Sequence, residues 1–272
     1  MTERLVDRLR GRRVGVALSS AFFGFYAHTG FVRALHAAGV RPAGYSGSSA
    51  GALTAAFAAA DALDRFVGLL GGLGRSDFWD PTFPIGRPPG LLRGDRFAAL
   101  LRAHLPLRDF EDCPTPLVTV ATDLTRGVRH VDVRGEIVPA VHASCALPLL
   151  FRPVARFGGL HADGGIVDKI PLRALTDAVA LDVVVAHLLP SHGLARPLPR
   201  SPFGLLDRAL DVARDDGWRH QVDLLRARGI EVHVITTTPT RITPFTMSRG
   251  AGAIERAERA TAEALHGAVR TG

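Results

Sequence analysis

The stretch RPAGYSGSSAGALTAAFAAADAL, residues 41–63, passes from one kind of chain to another within three residues. Arg41–Ser46 reads as a short strand, Gly47-Ser48-Ser49 as a turn, and Ala50–Leu63 as an Ala-rich helix with no charged residue before Asp61. Gly47-Ser48-Ser49-Ala50-Gly51 fits G-x-S-x-G, a pattern whose meaning depends on this strand-to-helix setting. A serine on such a turn stands at the positive end of the following helix, where developing negative charge is favoured. Ser49 is therefore the candidate nucleophile, with Gly47 and Gly51 as the glycines that let the turn close. The same residues also read as an ordinary helix N-cap, with Ser48 or Ser49 accepting an amide hydrogen bond.

The flanking sequence alternates element types. VGVAL (14–18) is of strand length, and Phe25–Gly39 has apolar residues at helical spacing with Gly39 as a stop. Gly71–Gly94 carries four prolines among many glycines and reads as a long excursion, within which Asp77–Leu92 bears Phe78, Trp79, Phe83, Ile85 and Leu91. It reads either as a flap over a site or as a packed loop. Arg96–His104 recovers helical spacing; Pro116–Leu124 and Arg129–Val133 read as strands, Glu136–Ala146 as a short helix, and Phe151–Gly165 as a strand pair. Leu181–Leu189 is a buried strand, Leu205–Arg228 a helix, Ile230–Thr237 a last strand and Ser248–Val269 a charged surface helix. Strands alternating with helices imply a mostly parallel sheet covered on both faces.

Composition narrows the chemistry. Of 272 residues, 47% are hydrophobic and 22% charged, enough apolar material for a sizeable core. The net charge of +7 comes almost wholly from arginine, Lys169 being the one lysine. These arginines are spread among Asp and Glu rather than striped with aromatics, which argues against a nucleic-acid partner. The charge instead allows attraction to an anionic membrane surface. Two cysteines, Cys113 and Cys145, are too few for a disulfide framework or a thiolate metal site. MTERLVDRLRGRR has no apolar stretch of signal-peptide type, and the longest apolar run, Ala50–Ala60, is too short to span a bilayer. A cytoplasmic protein, peripheral to membranes at most, is the expectation.

A serine needs a base. His187, His192, His220 and His233 follow Ser49 and would suit a Ser-His-Asp arrangement, but only two strands precede the serine, fewer than that fold places before its elbow. Asp163-Gly164-Gly165 offers a carboxylate on a turn whose glycines permit close approach and positive φ. Partial burial would raise its pKa and make it the stronger base.

Taken together, GSSAG on an early strand-to-helix turn, ATDLTRG (121–127), HASCALPLLFRPV (142–154) and ADGGIVDKIPL (162–172), in this order, resemble the patatin-like phospholipases. The resemblance runs from about Val14 to about Leu175. It implies an α/β fold, a three-layer α/β/α sandwich with a mainly parallel central sheet. Residues 1–272 would form one patatin-like domain with its recognisable core at about 14–175, completed by the strand and helices of 181–270. It further implies a Ser-Asp dyad, Ser49 as nucleophile and Asp163 as base, that hydrolyses acyl esters of lipids through an acyl-enzyme, needing neither metal nor cofactor. The family's G-x-G-x-x-G oxyanion loop corresponds to Ser19-Ser20-Ala21-Phe22-Phe23-Gly24, in which only Gly24 keeps the pattern. The backbone amides of Ser20, Ala21 and Phe22 are its expected donors. A non-glycine residue at any position requiring positive φ would cost about 1–2 kcal/mol. Phe22, Phe23, Phe25 and Tyr26 either wall an acyl channel or anchor the following helix. Carboxylester hydrolysis of small soluble esters, and non-catalytic lipid binding with an impaired oxyanion loop, are the alternative functions.

Overall fold

The computed structural model describes residues 3–82, 89–190, 201–238, 240 and 242–267. In chain order the elements are α1 (Leu5–Leu9), β1 (Val14–Leu18), α2 (Phe25–Ala37), β2 (Gly44–Ser48), α3 (Ala50–Ala59), α4 (Leu63–Gly72), α5 (Asp95–His104), β3 (Leu117–Asp123) and β4 (Val128–Asp132). There follow α6 (Ile137–Ser144), β5 (Val154–Arg156), β6 (Gly159–Ala162), α7 (Leu172–Ala178), β7 (Val183–Leu188), α8 (Pro202–Ala227), β8 (Glu231–Thr236) and α9 (Gly250–His266).

The sheet order is β5-β6-β3-β2-β1-β7-β8, with β4 also paired to β3. From β3 to β8 the neighbours run parallel, while β4, β5 and β6 join antiparallel at one side. β1 and β2 are apolar or small throughout and fully buried, as central parallel strands must be. Side-chain alternation then assigns the two faces. Val16 and Leu18 of β1 and Val183 and Val185 of β7 join α2, α3, α4, α6 and α9 in one apolar cluster. Ala17, Val184 and Ala186 point the other way, into a second cluster with α7 and α8. The result is the expected three-layer α/β/α arrangement around a mixed, mostly parallel sheet.

The helix expected over Ala50–Leu63 breaks near Ala60, where Asp61 adopts φ 53°, and a separate helix, α4, follows. The strand expected at Arg41–Ser46 lies instead at Gly44–Ser48, because pairing with β1 sets its register from Gly15 opposite Gly44 to Leu18 opposite Gly47. Its last residue thus reaches Ser48, directly before the candidate nucleophile. In the excursion, residues 83–88, and with them Phe83 and Ile85, lie outside the described residues. Its two flanks meet at Pro81 and Leu92, and the buried Asp80 carboxylate accepts the amides of Arg93, Gly94 and Arg96.

The α2–α9 contact is unusually close. A Cβ placed on Gly30 of α2 would lie 2.1 Å from the Ile254 carbonyl oxygen, which is backbone and cannot yield easily. Replacing a mid-helix glycine by alanine ordinarily stabilises by about 0.5–1 kcal/mol. Here Gly30→Ala is expected to have the opposite sign, destabilising by about 1–3 kcal/mol through overpacking. A urea midpoint equal to or above that of the wild type would contradict this packing.

Candidate active site

β2 ends at Ser48 and α3 begins at Ala50, so Ser49 alone turns the chain from strand to helix. It does so at φ 55°, ψ −122°, a conformation that costs a non-glycine residue on the order of 1–3 kcal/mol. The legs of the turn must nearly touch. A Cβ on Gly47 would lie 2.2 Å from the Gly51 carbonyl carbon, and one on Gly51 would lie 2.3 Å from the Leu18 carbonyl oxygen at the end of β1. The motif glycines are therefore required by space.

The strained turn is held on several sides. The Ser49 amide donates to Ser144 Oγ at 2.9 Å, and that hydroxyl donates to the Val120 carbonyl of β3 at 2.6 Å. The Cys145 thiol donates to the Ser49 carbonyl at 3.2 Å; burial and then the charge of Asp163 push its pKa well above the ordinary range, so it stays a neutral donor. Both residues lie in the Ala143-Ser144-Cys145-Ala146 run at the end of α6. The sequence marks their segment through HASCALPLLFRPV but does not show this anchoring role. On β2, the Ser48 and Ser46 hydroxyls donate to the carbonyls of Asp168 and Pro171, tying the strand to the segment that carries Asp163.

Asp163 follows β6 and caps a single 3-10 turn, Gly164–Ile166. Its Oδ1 accepts the Gly165 amide at 2.8 Å, and its Oδ2 accepts the Ser49 hydroxyl at 2.6 Å, the short distance typical of a hydroxyl donating to a charged carboxylate. The backbone is fixed as well, the Asp163 amide donating to the Ala146 carbonyl and the Thr122 hydroxyl donating to the Asp163 carbonyl. From α8, the Arg214 guanidinium donates to the Gly165 carbonyl. Neither Gly164 nor Gly165 has the positive φ that sequence reasoning allowed for. Space decides again: a Cβ on Gly164 would lie 2.0 Å from the Val120 carbonyl oxygen, and one on Gly165 would lie 2.4 Å from Ser20.

The Ser19–Gly24 loop lies against that turn. The Ser20 amide, one of the three expected oxyanion donors, is already committed to the Lys169 carbonyl at 2.8 Å. Among the described residues the Ala21 and Phe22 amides have no partner. Positive φ falls on Phe23 (53°) and not on Ser19 or Ala21, so the missing glycines carry no backbone penalty at their own positions. A Cβ on Gly24 would lie 2.7 Å from that of Ala21, which accounts for the glycine retained. In the aromatic cluster, Phe25 and Tyr26 are core residues of α2, whereas Phe22 is 56% exposed and meets Phe23 edge-on.

The loop is braced by a buried imidazole pair. His28 Nε2–H donates to the Ser19 carbonyl at 2.7 Å, which leaves Nδ1 to accept Nδ1–H of His187 at 2.8 Å; His187 Nε2 accepts the Thr237 hydroxyl at 2.8 Å. With both rings neutral, every ring nitrogen has a partner. Burial pushes His28 down to about 4 and His187 well below the ordinary 6.5. His187 thus serves this brace, His233 pairs with Glu231, His220 is exposed on α8, and His192 lies outside the described residues. None of the three described histidines bonds Ser49. No cluster of three metal-ligating side chains occurs among the described residues.

A family model described as patatin-like phospholipase matches residues 16–176, more than half of the chain. The chain belongs to the patatin-like phospholipase family. An uncharacterized NTE family protein of Mycobacterium bovis is 34% identical over 182 residues, 66% of this chain and 50% of that protein. Lysophospholipase NTE1 of Mycosarcoma maydis is 28% identical over 182 residues, 63% of this chain and 9% of that one. The patatin-like chain thus spans about half the length, or less, of these curated relatives. VipD from Legionella pneumophila, a solved structure, overlaps 93% of this chain and 66% of its own at 18% identity and a TM-score of 0.48.

The neutral imidazole pair makes stability depend on pH. Between about pH 6.5 and 4 the unfolded chain binds protons at these histidines and the folded chain does not, so stability falls as pH falls through that window. For His28 the loss is on the order of 3 kcal/mol by pH 4. Urea unfolding across this range should be steeper in pH for the wild type than for His28→Gln, which has nothing to titrate; equal slopes would remove the pair from the account.

Proposed function

We propose that this patatin-like domain, residues 1–272, is a lipid acyl hydrolase working through Ser49 and Asp163. The observation that carries the reading is the 2.6 Å hydrogen bond from the Ser49 hydroxyl to Asp163 Oδ2 at a strained strand-to-helix turn. Asp163 takes the hydroxyl proton as Oγ attacks an ester carbonyl, and the charge on the carbonyl oxygen is received by the free amides of Ala21 and Phe22. Asp163, now protonated, gives its proton to the departing alcohol. A water then enters and loses its proton to Asp163 as it attacks the acyl carbon; Asp163 returns that proton to Ser49 Oγ as the bond to the acyl carbon breaks, which releases the fatty acid and restores both residues. The lost glycines of the loop do not argue for an inert site, because neither Ser19 nor Ala21, which stand in their places, has positive φ. Lipid esters are favoured by family membership and by a relative named as a lysophospholipase.

A panel of phospholipids, lysophospholipids and p-nitrophenyl esters of rising chain length, run on the wild type, Ser49→Ala and Asp163→Asn, tests this. Ser49→Ala is expected to lower kcat by about 10⁴ or more and Asp163→Asn by about 10²–10⁴, since the amide keeps the packing but cannot accept a proton. Full hydrolysis by either variant sinks the dyad. Rates that peak at the shortest ester and vanish on lipids would instead identify a carboxylesterase for soluble substrates.

A further inference from the structure

Among the described residues, several large apolar side chains that folding would be expected to cover stand exposed. Phe22 (56% exposed), Trp79 (48%), Leu91 (59%), Leu149 (56%) and Phe245 (79%) come from four separate segments. Direct contacts join them. Phe22 stacks on Phe23, which meets the Phe78 ring beside Trp79. The Arg75 guanidinium lies 4.2 Å from the Trp79 ring and 5.3 Å from the Phe245 ring. On the other side of Trp79, Pro81 bridges Leu92, and the Leu91 amide donates to the Leu149 carbonyl. Leu149 follows the Ser144-Cys145 pair that holds both backbone groups of Ser49, and Phe22 follows Ser19 and Ser20, which lie against Gly51 and Gly165 of the two motif turns, so two segments of the band adjoin the serine's turn.

Two features point to its occupant. Leu149 is held at φ 72°, a costly conformation for leucine that nevertheless turns the side chain into solvent. Arg75 has no carboxylate within ion-pair distance among the described residues and is sandwiched by aromatics, so its positive charge stays available within an apolar surface. Aromatic and aliphatic side chains around a free cation match the boundary between acyl chains and anionic headgroups. Among the described residues no helix is long and apolar enough to cross a bilayer, so attachment would be from one side.

We propose that this band is the face by which the protein docks on an anionic phospholipid bilayer, placing Ser49 against the lipid. The proposal rests on the lipid-hydrolase reading for its substrate and can be tested apart from it. Binding of the full chain to vesicles of phosphatidylcholine, with and without phosphatidylglycerol, is measured by co-sedimentation and by the blue shift of Trp79 fluorescence in a Trp218→Phe background. Trp79→Asp and Phe245→Asp should each weaken binding about tenfold. Arg75→Gln should abolish the preference for phosphatidylglycerol. Leu224→Asp, at the end of α8 that adjoins the start of β8, should change nothing. Hydrolysis of p-nitrophenyl butyrate should be unaltered in all four, and Ser49→Ala should bind vesicles as the wild type does. Wild-type binding by both Trp79→Asp and Phe245→Asp overturns the proposal, as does a stable dimer in which Trp79 is shielded without vesicles. Vesicle binding with no ester hydrolysis sinks the hydrolase reading and leaves the docking face standing.

Discussion

One residue reverses the chain from β2 into α3, and much of the surrounding architecture exists to hold it there. Ser49 sits at φ 55°, where a side chain is disfavoured, and it stays because its neighbours leave no alternative. Ser144 takes its amide, Cys145 takes its carbonyl, and Asp163 takes its hydroxyl. Each anchor is itself anchored, Ser144 to β3, Asp163 to Thr122, Ala146 and Gly165. The strain and the chemistry have the same origin. A turn this sharp sets Oγ at the positive end of a helix, where the carboxylate of Asp163, 114 residues farther along the chain, meets it.

The loop after β1 shows how such a site tolerates a departure from its family's pattern. Three glycines in a row of six ordinarily suggest freedom of φ, yet here Ser19 and Ala21 occupy regular backbone and the positive φ falls on Phe23. What would otherwise be a floppy connection is braced by side chains: Ser19 is bound through its amide, carbonyl and hydroxyl, the second through His28 and its partner His187. Two neutral imidazoles in a dry interior make a rigid brace at neutral pH and a liability in acid, because burial disfavours the charged form of either ring.

Much of this was legible along the chain. The strand, turn and helix of residues 41–63, the alternation of element types and the spacing of GSSAG and DGG locate the sheet and bring Ser49 and Asp163 forward, since local backbone geometry and side-chain periodicity are properties of short segments. The break at Asp61, the helix α4 and the shift of β2 by a few residues were not legible. Each depends on a partner distant in sequence: β2 takes its register from β1 and β3, and an Ala-rich run has no internal reason to stop where it does.

The same division runs through the site. By itself the sequence determined which residue types are present for the proposed acyl transfer, in what order, and on which kinds of element, because G-x-S-x-G and D-G-G are constraints of steric room within a turn. Only the tertiary structure decided which amides of the loop remain free, that Ser20 is spent on Lys169, that His187 braces the loop instead of bonding Ser49, and that Ser144 holds the backbone of Ser49. A hydrogen-bond donor has one proton to give, and which acceptor receives it depends on distances of a few tenths of an ångström between segments that adjoin only after folding.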